Sequence, residues 1–354
     1  MCGINGFNFR DISLIKKMMA QTFSRGPDNQ DYFESDEYTV GHNRLSIIDP
    51  DKRSNQPFYY KNYILSFNGE IYNYLEIKDK LVSKGYSFST TSDTEVIIKL
   101  FDSEGKDSFK KLSGIFAISI YDLHQKKLFL IRDTVGVKPL YYYHELNTKK
   151  FIFSSLINSI LINLKSKQLN YDALNSYSNF NRNDYRETFF KNIYKVLPGE
   201  LIEVYDKNYK RTKILNFNFN SDKDEMELTN DISKNFSNQF LSDVPVALSL
   251  SGGYDSNIIL QELLKNKGAN FTNYSVTFKN SDKFSEDHDV AKKISNHYGV
   301  KFNSIEVSSK DFKDNAEKIV DIVEEPTGNQ NSISNIILSN NVSEKVLFSG
   351  DGGD

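Results

Sequence analysis

An α+β domain of layered antiparallel sheets with helices, followed by an α/β domain built on a parallel sheet, is the fold class that this 354-residue sequence predicts. Three observations predict it. As far as Ser154, short β-branched and aromatic runs follow one another with turn residues between them, and only two or three segments have helical spacing. From Thr229 onward, helical stretches alternate with short, fully apolar strands, the pattern of a parallel sheet carrying helices on both faces. Between the two, residues 206–228 are mostly polar, with Lys207-Asn208-Tyr209-Lys210-Arg211 and then Asn216 to Asp224, and read as a linker. Residues 1–205 and 229–354 are each long enough to bury a core.

In the first domain, Asp11 is placed to cap a helix whose Ile12, Ile15, Met19 and Phe23 recur at helical spacing. Ser24-Arg25-Gly26-Pro27-Asp28 ends it with a turn. Tyr38 to His42, Tyr63 to Phe67, Ile115 to Tyr121, Lys127 to Arg132 and Phe151 to Ser154 are expected strands, with Asp122 to Lys126 as a hairpin loop. Ser92-Asp93-Thr94-Glu95 fits a capping box opening a helix at Val96-Ile97-Ile98.

In the second domain, a helix is expected from Thr229 to Leu241 and a strand from Val244 to Leu250. Ser251-Gly252-Gly253-Tyr254-Asp255-Ser256 then leads into a helix carrying Ile258, Ile259 and Leu263. A strand from Tyr274 to Phe278, a helix from Ser285 to Tyr298 ended by Gly299, and a strand from Lys345 to Phe348 follow.

The net charge of −3 gives no footprint for nucleic acid or an acidic membrane surface. One cysteine cannot form an internal disulfide, the N-terminus lacks the grammar of a secretory signal, and no apolar run approaches the roughly 18 residues of a membrane span. The expectation is a cytoplasmic protein.

Cys2, the sole cysteine, directly follows the initiator Met. With a small residue in second position, Met1 is expected to be removed, leaving a thiol and an α-amine on one residue. Their ordinary pKa values, about 8.5 and about 7.7–8.0, allow the amine to take the thiol proton near neutrality. On position alone, a cysteine that merely begins a strand is the simpler reading. Three other stretches could assemble around it. Arg44, within Gly41-His42-Asn43-Arg44-Leu45-Ser46-Ile47-Ile48-Asp49, is by itself a surface residue at a strand edge. Asn68-Gly69 is a common turn dipeptide; the alternative is that the Asn68 side chain and the Gly69 N–H converge to hold an oxyanion. Asp93 either favours its helix electrostatically or binds a substrate ammonium group.

The loop at Ser251 to Ser256 suits a phosphate anion, because its glycines let N–H groups turn inward and the following helix adds positive potential. Its hydroxyls and carboxylate add phosphate and Mg²⁺ contacts, and it lacks the Lys of a Walker A loop. An ordinary glycine-rich connection is the plainer alternative. Ser349-Gly350-Asp351-Gly352-Gly353-Asp354, behind its own apolar strand, is in isolation an acidic turn.

Taken in order, Cys2, Arg44, Asn68-Gly69 and Asp93 resemble the glutaminase domain of class II glutamine amidotransferases, which are N-terminal nucleophile hydrolases, in the form found in glutamine-hydrolysing asparagine synthetases. Arg25-Gly26-Pro27-Asp28, Gly114-Ile115-Phe116-Ala117 and the run from Arg132 to Tyr141 also match, as turns and core. The Ser-Gly-Gly-x-Asp-Ser loop resembles the pyrophosphate loop of the ATP pyrophosphatase superfamily, and Glu324-Glu325-Pro326 and the Ser349 to Asp354 loop extend that match. The resemblance implies Cys2 as nucleophile, Asn68 and Gly69 as oxyanion hole, and Arg44, Asn68, Glu70 and Asp93 as glutamine ligands. It implies ATP contacts at Leu250, Ser251, Gly252, Gly253, Asp255, Ser256, Val276, Ser349 and Gly350, acidic roles for Asp351 and Asp354, and Mg²⁺ on Asp255 and Asp351.

The activity so implied is hydrolysis of glutamine, activation of aspartate by ATP as an acyl-AMP with release of pyrophosphate, and amidation to asparagine. A homodimer is the expected assembly. Two alternatives stand beside it: the same architecture acting on another carboxylate such as a sugar uronate, or a chain that only hydrolyses glutamine or serves as a regulatory binding subunit. The sequence departs from the family at Ser24, where His is usual, at Leu156, where an acidic residue is expected, at the shortened turn Leu197-Pro198-Gly199, and at Asn329, where Asp is common. Family members continue past this loop for on the order of 150 residues, so the second domain is expected to be truncated.

Overall fold

The computed structural model describes residues 1–145, 147–181, 186–205, 208–216, 225–279, 285–326 and 331–351. The chain forms two compact units, Met1–Asn220 and Ser221–Asp354. The first contains, in chain order, β1 (Gly3–Phe7), α1 (Ile12–Gln21), β2 (Asn29–Glu34), β3 (Thr39–Arg44), β4 (Phe58–Tyr60), β5 (Tyr63–Ile71), α2 (Tyr74–Ser83), α3 (Asp93–Glu104), β6 (Gly114–Asp122), β7 (Lys127–Arg132), β8 (Tyr141–Glu145), β9 (Lys150–Ser154), α4 (Ile157–Leu161), α5 (Tyr171–Phe180), β10 (Ile193–Lys195), β11 (Glu200–Tyr205) and β12 (Asn208–Lys213).

These strands make two antiparallel sheets of six, ordered β10-β8-β9-β1-β3-β2 and β12-β11-β7-β6-β5-β4. Ile4, Tyr38 and Val40 from the first meet Ile64, Ala117, Leu128 and Leu130 from the second in one buried cluster between the sheets. Each such large apolar side chain, fully buried, stabilises the sandwich by about 1.5–3 kcal/mol. On the outer face of the first sheet, α1 and α4 bury Ile15, Met18, Met19, Ile157, Ile160 and Leu161 against Phe7 and Ile152. On the second sheet, α3 contributes Val96, Ile97, Ile98, Leu100 and Phe101, all buried, with Phe101 edge-on to Phe129. The result is the layered sandwich that the sequence predicts.

Local chemistry accounts for several boundaries. Asp11 is extended and its Oδ1 accepts the Leu14 N–H at 2.9 Å, so it caps α1 as expected. Phe23 does not share the buried face of α1: the chain tightens into a 3₁₀ turn after Thr22, and the Phe23 ring is 50% exposed. As far as Ser154 the described residues form three α-helices, α1 to α3, within the two or three expected; α4 and α5 lie beyond that stretch. The polar β2 had no strand signal because it is an edge strand paired only with β3. The first part of the expected linker is likewise a strand, since β12 pairs with β11 along its whole length. Its polarity reflects an exposed edge and not an absence of structure.

The second unit contains α6 (Glu225–Gln239), β13 (Val246–Ser249), α7 (Tyr254–Lys267), β14 (Thr272–Phe278), α8 (Ser285–His297), β15 (Lys301–Val307), α9 (Ser309–Val323), α10 (Asn331–Asn341) and β16 (Val346–Phe348). The helix expected from Thr229 begins earlier, at Glu225. The four strands are parallel and ordered β15-β14-β13-β16. One apolar cluster joins α6, α7 and α8 to Val246, Leu248 and Leu250, and another joins Ile337 and Leu338 of α10 to Ala247, Tyr274 and Ile305, so helices cover both faces. Strand order reverses beside β13, between β14 and β16. At such a switch point the crevice beyond the strand C-termini is where α/β sheets bind ligands. Among the described residues, no helix is long and apolar enough to cross a membrane.

Candidate active site

In the first unit, β1, β3 and β5 converge on one pocket lined by Cys2, Arg44, Asn68, Gly69, Glu70 and Asp93, together with Met1, Gln56, Thr94 and Lys138. All six first-unit residues singled out in the sequence are therefore brought together. Cys2 lies just ahead of β1. Its Sγ–H donates to the Leu45 carbonyl at 3.7 Å and its Sγ accepts the Leu45 N–H at 3.4 Å. The Ser24 to Asp28 turn fixes it from the other side, with Arg25 Nε donating to the Cys2 carbonyl at 3.0 Å and Asp28 Oδ2 accepting the Ser46 N–H at 2.8 Å. Burial pushes the Cys2 thiol above its ordinary value. A resting thiolate is therefore costly, and the proton has to leave as the sulfur attacks, which calls for an adjacent base. Met1 is present here and its amine, lowered by burial to about 6, shares the pocket.

The oxyanion donors follow from strand register. In the β5–β6 ladder Gly69 stands opposite Phe116. Phe116 directs its N–H to Asp133 Oδ2 at 3.2 Å and its carbonyl to the Asp133 N–H at 2.8 Å, away from β5. Antiparallel pairs alternate between bonded and non-bonded, so the N–H groups of Phe67, Gly69 and Ile71 point to the opposite edge. There Phe67 donates to Gln56 Oε1 at 2.6 Å and Ile71 to Asp93 Oδ2 at 3.1 Å. The Gly69 N–H between them is left facing the pocket. Beside it, the Asn68 Nδ2 amide is buried without a hydrogen-bond partner among the described residues. Two donors thus point into the pocket that Cys2 lines, the arrangement an oxyanion requires. Asn68-Gly69 is not a turn; both residues lie inside β5.

Position 69 admits only glycine. A Cβ there would come within 2.0 Å of the Ile115 carbonyl oxygen, a backbone atom that cannot swing aside. Gly69→Ala is expected to lower unfolding stability by about 3 kcal/mol, read from a denaturant midpoint; an unchanged midpoint would contradict the register.

The charged groups divide by sign. Arg44, the last residue of β3, is 4% exposed and not on the surface. Its four terminal N–H groups go to the carbonyls of Ile48, Asp49 and Asp51 and to Asn55 Oδ1, at 2.5–3.2 Å. What faces the pocket is its charge. Asp93 opens α3 and is raised by burial to about 6. The capping box forms only in part: Ser92 caps α3 by accepting the Thr94 N–H. Glu95 turns back to Ser89 and Thr90 and pairs with the buried Lys99 at 2.6 Å.

Glu70 is raised by burial, and then by Asp93, from 4.5 to about 7. A native pKa above the unfolded one means that folding takes up a proton between these values, so stability falls as pH rises from 4.5 to 7. Glu70→Gln is accordingly expected to stabilise the protein at pH 8 by up to about 3 kcal/mol, and progressively less as pH falls to 4.5. Thermal unfolding at pH 8 and pH 5 checks the sign.

Sequence reasoning missed Lys138, whose ammonium lines the pocket and whose pKa is lowered by burial. Its loop is held by Asp133, whose carboxylate accepts the backbone N–H groups of Val135, Gly136, Val137 and Lys138. The matched run from Arg132 to Tyr141 held the signal, read there as turn and core.

In the second unit, Leu250 follows β13, its N–H donating to the Tyr274 carbonyl at 2.8 Å, and the Ser251 to Ser256 loop enters α7. Ser256 Oγ accepts the Ser251 N–H at 3.3 Å and donates to the Gly253 carbonyl at 3.1 Å, which closes the loop on itself. The loop after β16 packs against it: a Cβ on Gly350 would meet Ser256 N at 2.9 Å and the Asp255 Cβ at 3.1 Å. Ser349 and Gly350 are thereby set beside Asp255 and Ser256, with Asp351 next in sequence. Val276 lies on the neighbouring β14. Among the described residues no group of three or more His, Cys, Asp or Glu could hold a metal ion. Asp255 and Asp351 supply two carboxylates, which fits Mg²⁺, an ion that takes one or two carboxylates and completes its shell with phosphate and water. Asp354 and Asn329 lie outside the described residues.

Comparison with known proteins agrees with this division. Residues 1–215 match the family described as glutamine amidotransferase domain, and residues 227–354 the family described as asparagine synthase. Asparagine synthetase [glutamine-hydrolyzing] 1 of Bacillus subtilis is 32% identical over all of this chain and 58% of its own length. A putative asparagine synthetase [glutamine-hydrolyzing] 2 of Methanocaldococcus jannaschii is 31% identical over all of this chain and 74% of its own. Amidase chyE of Penicillium rubens is 28% identical over 93% of this chain and 52% of its own. The chain thus spans little more than half of the Bacillus relative. It belongs to the glutamine-hydrolysing asparagine synthetase family, with an amidotransferase domain followed by an asparagine synthase domain.

Proposed function

We propose that the first unit hydrolyses glutamine through Cys2 and that the second uses ATP to activate a carboxylate, aspartate, for amidation to asparagine. The observation that carries the first half is the buried, unpartnered Asn68 Nδ2 beside the Gly69 N–H in the pocket of the only cysteine. Once Met1 is removed, the Cys2 α-amine takes the thiol proton as Sγ attacks the side-chain amide carbon of glutamine. The oxyanion accepts hydrogen bonds from Asn68 and Gly69, the tetrahedral species collapses, and the C–N bond breaks with the proton delivered to the departing ammonia. Water then cleaves the thioester to glutamate. Arg44 attracts the α-carboxylate and Asp93, with Glu70 beside it, the α-ammonium group.

In the second unit, an acceptor carboxylate oxygen attacks the α-phosphorus of ATP, the α–β bond breaks, and pyrophosphate leaves. The acyl-AMP so formed has the leaving group that a free carboxylate lacks, and ammonia displaces AMP to give the amide. The N–H groups of the Ser251 to Ser256 loop and the N-terminus of α7 would face the pyrophosphate. Mg²⁺, held by Asp255 and Asp351 with phosphate oxygens, would neutralise the charge developing on it.

Pyrophosphate formation from Mg·ATP and ammonium, measured with aspartate and with other carboxylates including uronates, tests the acceptor. Aspartate is expected to give the highest rate, with asparagine as product; turnover with a uronate and none with aspartate would contradict the assignment.

A further inference from the structure

The loop between β3 and β4 lines the glutamine pocket, and one residue in it faces both of the pocket's charged walls. Asp49 is buried with a left-handed backbone, φ 45°, a conformation that Asp and Asn tolerate better than other non-glycine residues. Its carbonyl accepts Arg44 Nη2 at 2.5 Å. Its carboxylate reaches the other way and accepts the Thr91 N–H at 2.8 Å, Ser54 Oγ–H at 2.9 Å and Arg53 Nε–H at 3.2 Å. Thr91 directly precedes Ser92, the cap of α3, and Asp93 is the first residue of that helix. The cationic and anionic walls come from distant parts of the chain, and Asp49 joins them through its side chain and its own backbone.

We propose that Asp49 is a positioning residue for substrate selectivity: it fixes the separation of Arg44 and Asp93, so that the pair grips the α-carboxylate and α-ammonium of a free amino acid together and rejects amides lacking either group. The inference rests on the glutamine-hydrolysis reading above. Burial alone would raise the Asp49 pKa, but the hydrogen bonds from Thr91, Arg53 and Ser54 outweigh it and hold the value at about 2, so the tie stays charged throughout the neutral range. A second, uncharged tie runs beside it: Asn55 Oδ1 accepts Arg44 Nη1 at 2.8 Å, and the next residue, Gln56, donates from Nε2 to Thr94 Oγ1 at 3.3 Å. Glu95 and Lys99 fasten Ser87, Ser89 and Thr90 to α3 itself, and neither reaches Arg44.

A spacing fixed before the substrate binds acts on binding and leaves the sulfur untouched. Asp49→Asn keeps the left-handed backbone and removes the charge. In the 354-residue chain this variant is expected to raise KM for glutamine about tenfold or more with kcat within about threefold, a loss of uniform binding. Its preference for glutamine over glutaramate, which has the same amide and no α-ammonium, should fall by a comparable factor. Alkylation of Cys2 by iodoacetamide, which reports the nucleophile alone, should stay within about twofold of the parent. Unchanged KM and unchanged preference would overturn the inference. A parallel drop in kcat and in iodoacetamide reactivity would also overturn it, because Asp49 would then support the whole site and not its spacing. If the parent chain is alkylated normally yet releases no glutamate from glutamine, the underlying reading fails and this inference with it.

Discussion

Glutamate release from glutamine falls to background, a loss of at least about 10⁴-fold, when Cys2 is replaced by Ala. The size follows from the chemistry: the sequence holds no second thiol, and the two oxyanion donors have nothing to stabilise without a nucleophile in place. The remaining pocket still binds glutamine, because Arg44, Asp93 and Glu70 are untouched, so the variant should retain ligand-induced stabilisation. Ammonium-dependent chemistry should also survive, since Ser251 to Ser256 and Ser349 to Asp351 belong to the other compact unit. Glutamate and pyrophosphate assays on one preparation separate these effects. Residual glutamate release above about 1% of the parent would remove Cys2 from the mechanism.

Asn68→Ala carries the next largest effect. Removing one oxyanion donor costs about 10²–10³ in kcat, or roughly 2.7–4 kcal/mol of transition-state stabilisation, with KM within a few-fold because the donor works mainly on the intermediate. Stability should not fall with it. Asn68 Nδ2 has no hydrogen-bond partner among the described residues, so its removal breaks no bond within the protein. The alanine variant is therefore expected to unfold at the same temperature as the parent or higher. A slower enzyme with a clearly lower melting temperature would mean that Asn68 serves the core instead.

Much of the architecture could be read from local pattern. β7 coincides with the run expected from Lys127 to Arg132, and β13 and β16 stand out as apolar strands opening into glycine-rich loops. What could not be read depends on partners far away in sequence. Asn68-Gly69 has the chemistry of a turn, but pairing with β6 extends β5 through it to Ile71, and the Asp93 side chain takes the last N–H. Arg44 looks like a surface residue until the carbonyls of residues 48–51 fold over it. β2 and β12 carry no apolar face because they lie at sheet edges. Asp49, Gln56 and Asp133 each satisfy backbone N–H groups of other segments, and a carboxylate or amide placed for that purpose has no signature in its own neighbourhood. The order Cys2, Arg44, Asn68-Gly69, Asp93 was legible only as a set.

The central claim is that the thiol of Cys2, with its own α-amine freed, attacks glutamine. Its most direct test is the rate of glutamate release by the purified 354-residue chain in two forms, one shown by intact mass to lack Met1 and one retaining it. The account predicts steady release, with ammonia in equal amount, from the form that begins at Cys2, and background from the form in which Met1 occupies the amine and shares the pocket. Equal rates from the two forms, or no release from the Met1-free chain while its thiol is still titratable, would contradict it.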